Sequence, residues 1–186
     1  MSQQEILDIV DMNGEPTGES FTRQEIHDRG LLHRTAHIWI YSPEGKLLLQ
    51  KRSKTKRDNP GLYDTSSSGH ILAGLSPKEG ALEELNDELG ITEQNGKLEY
   101  VKKVYEDRAS STMLKSHRMI AFVYFMALPE DTKFTFNDGE TDSVEWIELE
   151  AFKDLMLNHE GRAVSREKEY SYFVVEHIKS KLALSI

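Results

Sequence analysis

One stretch of the chain, Gly69–Ile91 (GHILAGLSPKEGALEELNDELGI), constrains the fold most strongly, because it predicts a glycine-bounded loop that leads into a short helix. Ser76 has the residue type of a helix cap, and the Pro77 and Glu79 that follow it suit the first helical turn. Gly90 is typical of the residue that ends a helix. We therefore predict one helix between Ser76 and Gly90, and we expect the chemistry of the protein in this stretch.

The two sides of this predicted helix differ in polarity. At about 100° per residue, Glu84, Asp87 and Glu88 fall on one side of the helix. The opposite side carries three leucines, which are Leu82, Leu85 and Leu89. Carboxylates at helical spacings of three and four repel each other by roughly 0.2–0.5 kcal/mol per pair, so either solvent or a divalent cation must offset the repulsion. Mg²⁺ and Mn²⁺ are the cations that prefer carboxylate oxygens.

The spacing of the stretch resembles the Nudix box, G-x5-E-x7-R-E-U-x-E-E-x-G-U, in which U is an aliphatic residue. The alignment has no gaps, and the matching residues are Gly69, Glu84, Leu85, Asp87, Glu88, Gly90 and Ile91. The resemblance implies that Glu84, Asp87 and Glu88 bind Mg²⁺ (or Mn²⁺), and that Glu84 and Glu88 are the catalytic residues.

Two positions depart from the box. Leu75 stands where the pattern has its early glutamate, and Glu83 stands where it has arginine. In the family that arginine is thought to hold the box carboxylates in place, whereas a glutamate adds repulsion. A module that has kept the fold and binds a diphosphate without cleaving it is therefore an alternative to an enzyme.

The composition favours one ordinary globular domain. The chain has 186 residues, 38% of them hydrophobic and 30% charged, and no apolar run approaches the ~20 residues of a membrane span. The first residues lack the pattern of a secretory signal, so we expect a cytoplasmic protein that does not enter a membrane. A formal net charge of -9 argues against binding to a nucleic-acid polymer. The absence of cysteine excludes disulfides, thiolate metal ligands and cysteine nucleophiles.

The order of predicted elements indicates an α+β fold with a mixed central sheet covered on both sides, in agreement with the αβα sandwich of the Nudix fold. Residues 1–30 are predicted to form an N-terminal hairpin and a helical turn packed on the domain of residues 31–186, and the added hairpin slightly favours a homodimer. The predicted strands are His33–Tyr41, Lys46–Arg52, Lys97–Glu106, Arg118–Leu128, Ser143–Ile147 and a short one at Lys133–Phe136. The residues Asn59–Ser68 are predicted to be a loop, and Leu149–Leu157 and Val164–Leu184 to be helices.

A basic cluster precedes the box, at Lys51, Arg52, Lys54, Lys56 and Arg57. Such a cluster is either a solvated loop or a clamp for phosphate oxygens, and arginine binds two oxygens at once. We predict that Lys51, Arg52 and Lys56 bind the phosphates of the substrate, with Arg52 and Lys56 first. Tyr63 either stacks on a base of the substrate or packs in the core.

Beyond the box, LLHRTAHIWIY, LLLQKRSKTK and NPGLYDTSSSGH resemble the Nudix branch closest to type I isopentenyl-diphosphate isomerase. The resemblance departs at two catalytic positions, because Ser68 replaces the isomerase's cysteine and no carboxylate lies near Lys115–Arg118. Three histidines resemble its metal ligands, although the spacing of the first two is one residue short; they are His27, His33 and His70.

We therefore expect a magnesium-dependent hydrolase that cleaves a diphosphate bond in a small substrate of the nucleoside diphosphate or triphosphate type. Glu88 or Glu140 takes the proton of the attacking water in this hypothesis. An isomerase-like enzyme and a non-catalytic binding module are the alternatives.

Overall fold

The computed structural model describes residues 5–56, 58–109, 116–137, 139–158, 161–164 and 166–183. The strands are β1 (Ile6–Val10), β2 (Pro16–Thr22), β3 (His33–Tyr41), β4 (Lys46–Arg52), β5 (Tyr63–Asp64), β6 (Ser67–His70), β7 (Glu99–Ala109), β8 (Ser116–Ala127) and β9 (Thr141–Glu148). The helices are α1 (Arg23–Arg29), α2 (Pro77–Leu89), α3 (Leu149–Asn158) and α4 (Lys168–Ala183). No helix in these ranges is long and apolar enough to cross a membrane.

The central sheet is mixed, as predicted. Its main path is β5-β4-β3-β8-β7, in which β3 and β8 are parallel and the other neighbours are antiparallel. Strands β3 and β4 are antiparallel neighbours, but they pair only at Tyr41 and Leu47. Beyond that point β3 pairs with β6 and β4 pairs with β9. The divergence of β3 and β4 brings β6, which begins the box, to the middle of the sheet.

Each face of the sheet buries a separate apolar core. The side chains of a strand alternate between faces, so Ile38 of β3 packs on the core that α2 covers, while the adjacent Trp39 packs on the core that α3 and α4 cover. Helix α2 contributes Ala81, Leu85 and Leu89 to the first core. This arrangement of helix, sheet and helices confirms the predicted α+β sandwich.

The N-terminal hairpin is present and is tied to the rest of the domain. Strands β1 and β2 form a two-stranded antiparallel sheet, and Thr22 begins α1 with a capping box to Glu25. A partly buried ion pair of 2.9 Å joins Arg34 of β3 to Asp8 of β1. Backbone hydrogen bonds from Val10 to Leu32 and from Ala73 to Ile6 attach the hairpin to the residue before β3 and to the box loop.

Three predicted elements need correction. Lys133–Phe136 is not a strand, because the amide of Thr135 donates to the carbonyl of Leu89 at the end of α2 and the segment covers that helix end. The predicted loop Asn59–Ser68 contains β5 and the start of β6, which form by pairing with β4 and β3. The last helix begins at Lys168 instead of Val164, and the predicted end at Leu184 lies outside the described residues.

Candidate active site

The box helix forms as its sequence predicts. The hydroxyl of Ser76 accepts a hydrogen bond from the amide of Glu79, and the Glu79 carboxylate accepts from the amide of Ser76. Gly90 ends the helix in the left-handed conformation, with φ of 66°. The leucine side of α2 lies in the core, so the acidic side turns toward β6 and solvent.

Gly69 lets the carboxylate of Glu84 approach the backbone of β6. A Cβ atom added at Gly69 would overlap that carboxylate, so any other residue at this position would displace Glu84. Burial raises the pKa of Glu84 well above its usual range, and the negative charges of Glu88 and Glu5 raise it further. The ammonium of Lys56 acts in the opposite direction. Glu84 therefore lies in a crowded acidic site that would favour a bound cation.

Glu88 is buried, with 2% of its surface exposed, and its carboxylate accepts hydrogen bonds from Gln50 and from the backbone of Ser68. The amide nitrogen Nε2 of Gln50 lies 3.2 and 3.4 Å from the two carboxylate oxygens, and the backbone amide of Ser68 lies 3.0 Å from one of them. The oxygen of Gln50 in turn accepts from the hydroxyl of Thr141 at 2.7 Å. These contacts hold Glu88 in one orientation beside Glu84.

The structure also locates the other box residues. Asp87 is exposed, and its negative charge is one of those that raise the pKa of Glu84. Metal binding by Glu84, Asp87 and Glu88 stays a prediction. Glu83 is exposed to solvent on the outer side of α2. Leu75 is partly buried against the core beneath α2, so an apolar contact replaces the carboxylate that the box pattern has there.

Two of the predicted phosphate-binding residues make contacts with acceptors of the protein itself. Lys56 forms an ion pair with Glu140, and its positive charge also lowers the pKa of Glu84. The guanidinium of Arg52 donates to Asp64 at 3.1 Å and to the backbone carbonyl of Asp58 at 2.9 Å. The neighbouring Arg57 lies outside the described residues. Phosphate binding by Lys56 and Arg52 stays a prediction.

Lys51 and Tyr63 lie together on neighbouring strands. The ammonium of Lys51 is 5.7 Å from the centre of the Tyr63 ring, and the Tyr63 hydroxyl donates to Glu145 at 2.6 Å, which raises the pKa of the phenol. Tyr63 packs against the core below α3 and also lines a small cavity with Trp39 and Arg166. Both sequence interpretations of Tyr63, stacking and packing, remain compatible with this position.

A buried ionic network that sequence reasoning missed lies beside this cavity. Arg166 is 3% exposed and donates to Asp64 at 2.6 Å and to Glu106 at 3.4 Å. The guanidinium charges of Arg166 and Arg52 overcome the effect of burial and hold the pKa of Asp64 well below its usual range. Nothing in the local sequence around residue 166 indicates that this arginine turns inward.

The three histidines that resembled the isomerase's metal ligands also come together. His27 of α1, His33 of β3 and His70 of β6 offer ligand atoms that all lie within 4.8 Å of one another. The ring of His117 stacks on His27 with a centroid distance of 4.2 Å. These residues come from four separate elements, which the fold brings to one point.

Hydrogen bonds favour a metal-binding tautomer of two of these rings. His33 must donate from Nδ1 to the carbonyl of Leu31 at 3.1 Å, because a carbonyl only accepts, and its Nε2 lone pair is then available. His70 Nδ1 lies 3.2 Å from the carboxylate of Glu5. Burial lowers the pKa of His33 to about 3, and it also lowers the pKa of His27 and His70, so the rings are neutral near pH 7. Neutral imidazoles suit Zn²⁺ and similar transition metals better than Mg²⁺.

Comparisons with known proteins agree with the resemblance to the Nudix box. Residues 31–168 match the family described as NUDIX domain. The chain is 30% identical over 173 residues to Nudix hydrolase 3 of Arabidopsis thaliana, a match that covers 91% of this chain and 22% of that protein. It is 40% identical over 86 residues to isopentenyl-diphosphate Delta-isomerase 2 of Photorhabdus laumondii subsp. laumondii, which covers 46% of this chain and 48% of the isomerase. The chain thus matches less than half the length of these two relatives.

The fold has a close counterpart among solved structures. The crystal structure of DR0079 from Deinococcus radiodurans superposes with a TM-score of 0.68, at 20% sequence identity, over 95% of this chain and 98% of that chain. At this identity the likeness describes the fold alone. Together with the sequence matches, it agrees with the architecture expected from the box.

Proposed function

The chain belongs to the Nudix family, and we propose that it is a Mg²⁺-dependent (or Mn²⁺-dependent) hydrolase that cleaves a diphosphate bond in a small substrate of the nucleoside diphosphate or triphosphate type. The observation that carries the proposal is that two box carboxylates approach β6, Glu84 against Gly69 and Glu88 at the backbone amide of Ser68, with the charge of Lys56 favouring the Glu84 anion. An acidic site with a cationic neighbour is suited to a divalent metal and the phosphate oxygens that accompany it.

Each residue has a defined task in the proposed reaction. Glu84, Asp87 and Glu88 would hold the metal, which when bound supplies activation of water and neutralisation of diphosphate charge. Lys56, with Arg52 at the end of the preceding strand, would bind phosphate oxygens. Lys51 contacts Tyr63 on the face of the sheet that α3 covers, so we do not assign it to the phosphates. The proton of the attacking water goes to a carboxylate, and Glu88 and Glu140 are the two candidates.

The test is the release of phosphate or pyrophosphate from a panel of nucleotide and non-nucleotide diphosphates, with Mg²⁺, with Mn²⁺ and with a chelator. We expect release that needs the metal and falls by orders of magnitude in Glu84→Gln and in Glu88→Gln. Glu83→Gln is the matched control, because it removes one charge from the same helix at an exposed residue that is not among the proposed metal ligands. Full activity in both site variants would contradict the assignment of these carboxylates.

One observation favours a second candidate, an isomerase-like enzyme. The cluster of His27, His33 and His70 resembles the isomerase's metal ligands, and two relatives carry the isomerase name. Ser68 stands where the isomerase has its cysteine and lacks the thiol. Conversion of isopentenyl diphosphate to an isomer of equal mass, with no phosphate released, would establish this candidate over the hydrolase.

The alternative of a binding module makes a different prediction. A ligand would raise the melting temperature of the protein without being cleaved, because binding to the folded state alone stabilises it.

The cytoplasmic location and the homodimer also stay predictions. Light scattering coupled to size-exclusion chromatography measures the oligomeric state directly.

A further inference from the structure

We propose that Gln50, oriented by Thr141, is the positioning residue that holds Glu88 in the place of the box arginine. The inference rests on the proposed function, since it assigns Glu88 to a metal site. Glu83 occupies the arginine position but is exposed to solvent, so it cannot hold the buried carboxylate of Glu88. Glu88 accepts hydrogen bonds from Gln50 of β4 and from the backbone amide of Ser68 of β6.

The geometry gives Gln50 a single orientation. A carboxylate only accepts hydrogen bonds, so the Nε2 amide group of Gln50 must face Glu88 and the Oε1 atom must face away. The hydroxyl of Thr141 fills the remaining position by donating to Oε1 at 2.7 Å. A flipped amide would put two acceptors against each other, and this arrangement would be strongly unfavourable because all three residues are buried.

The fold brings these three side chains from distant parts of the sequence. Gln50 lies on β4, Thr141 begins β9, and Glu88 lies near the end of α2. The pairing of β4 with β9 shifts register between Lys51 and Arg52, and Thr141 then pairs with Arg52. A local irregularity of this kind re-aims side chains next to a functional site.

A positioning role differs from a purely structural one in what it predicts for Mg²⁺. Residues that orient a metal ligand change metal affinity or activity by roughly 10–100-fold when they are replaced. Loss of a structural hydrogen bond would instead lower the melting temperature and leave Mg²⁺ affinity and turnover unchanged. The two readouts therefore separate the roles.

The experiment compares Gln50→Met, Thr141→Val and Thr141→Ser with the unmodified chain, using Mg²⁺ alone as the probe. Mg²⁺ prefers carboxylates over imidazoles, so the histidine cluster does not interfere. Isothermal titration gives the Mg²⁺ affinity, and steady-state kinetics on the best substrate of the panel give kcat and KM. Exposed Gln94→Met is the matched control.

We expect Gln50→Met to weaken Mg²⁺ binding by roughly 10–100-fold and to lower kcat more than it raises KM. Thr141→Val should change the same quantities in the same direction, and Thr141→Ser should restore them because it keeps the hydroxyl. If Gln50→Met does not fold, the two Thr141 variants carry the comparison. Mg²⁺ affinity and kcat within threefold of the original in Thr141→Val, or an equal loss in Thr141→Ser, would overturn the proposal.

The design separates this inference from the proposed function. If the chain binds Mg²⁺ but cleaves no member of the panel, the hydrolase proposal fails and the titrations still decide the role of Gln50. If the chain cleaves a substrate and the variants match it, only the role of Gln50 fails. A chain that binds no Mg²⁺ refutes both.

Discussion

Replacing Gly69 by alanine should separate the stability of this protein from its metal binding. A Cβ atom at this position overlaps the carboxylate of Glu84, so the methyl group and the carboxylate cannot both keep their places. The part of Glu84 that must move is the far end of a flexible side chain. We therefore expect Glu84 to rotate away from β6 while the backbone stays as it is.

The expected change in folding stability is small. Gly69 does not have a positive φ, so alanine is compatible with its backbone. The alanine stabilises the protein by about 0.4–1 kcal/mol through the unfolded chain, whereas a strained Glu84 rotamer costs about 0.5–1.5 kcal/mol. These contributions nearly cancel, so the free energy of unfolding should change by less than about 1 kcal/mol. The effect on chemistry is much larger, because misplacement of a reacting group by ~1 Å costs about 10²-fold in rate.

The assay pairs urea unfolding with Mg²⁺ titration and turnover on the same preparation. Gly74→Ala is the matched control, since Gly74 has a φ of 82° and no atom within 4 Å of an added Cβ. Alanine there is strained by about 1–2 kcal/mol but does not reach the site, so stability should fall and activity should persist. Wild-type Mg²⁺ affinity and turnover in Gly69→Ala would refute the reasoning, because they would show that Glu84 does not act from beside Gly69.

Three further predictions follow from the charges and the histidines. Arg166→Met should lower the free energy of unfolding by roughly 3–5 kcal/mol, because it leaves Asp64 and Glu106 buried with less compensation. The pKa of Asp64 is depressed in the folded state, so the ionised carboxylate stabilises the fold fully above its unfolded pKa of 3.8, and this stabilisation is lost as the pH falls. Urea unfolding should therefore show a smaller difference in free energy of unfolding between the original chain and Arg166→Met at pH 3 than at pH 7. Mg²⁺ affinity measured by titration should rise with pH, because the raised pKa of Glu84 makes a proton compete with the metal. Zn²⁺ should raise the melting temperature of protein that has first been stripped of metal with a chelator, and His33→Ala should abolish that rise. An equal rise in the variant would contradict a histidine site.

Local signals explain why the box helix could be predicted from the sequence. The cap at Ser76, the leucine periodicity and the terminal Gly90 all act within a few residues of each other, and each formed as expected. The short strands β5 and β6 lack such signals. Strand β6 (SSGH) has no alternation of apolar residues, and it is extended because it pairs with β3, from which it is separated by more than twenty residues.

The same difference between local sequence signals and long-range pairing applies to the candidate site. Glu84, Asp87 and Glu88 could be proposed as metal ligands from the sequence because the spacing of one helix puts them on one side. Gln50 and Thr141, which hold Glu88, belong to two strands with no shared sequence pattern. Glu5, which contacts His70 and raises the pKa of Glu84, lies more than sixty residues before the helix. Contacts between distant elements of the fold decide which residues support the site, and these contacts cannot be predicted from a single sequence.

Strand β6 lies between two candidate metal centres, and this position makes the identity of the metal informative. Gly69 faces the carboxylate of Glu84, whereas the next residue, His70, joins the histidine cluster. Carboxylates favour Mg²⁺ and imidazoles favour Zn²⁺, so the two centres would take different ions from a mixture. Activity that depends on Mg²⁺ and persists in a His33 variant would arise from the box carboxylates, as the proposed hydrolase predicts. Activity that needs the histidine-bound ion would instead connect the chemistry to the centre that resembles the isomerase's.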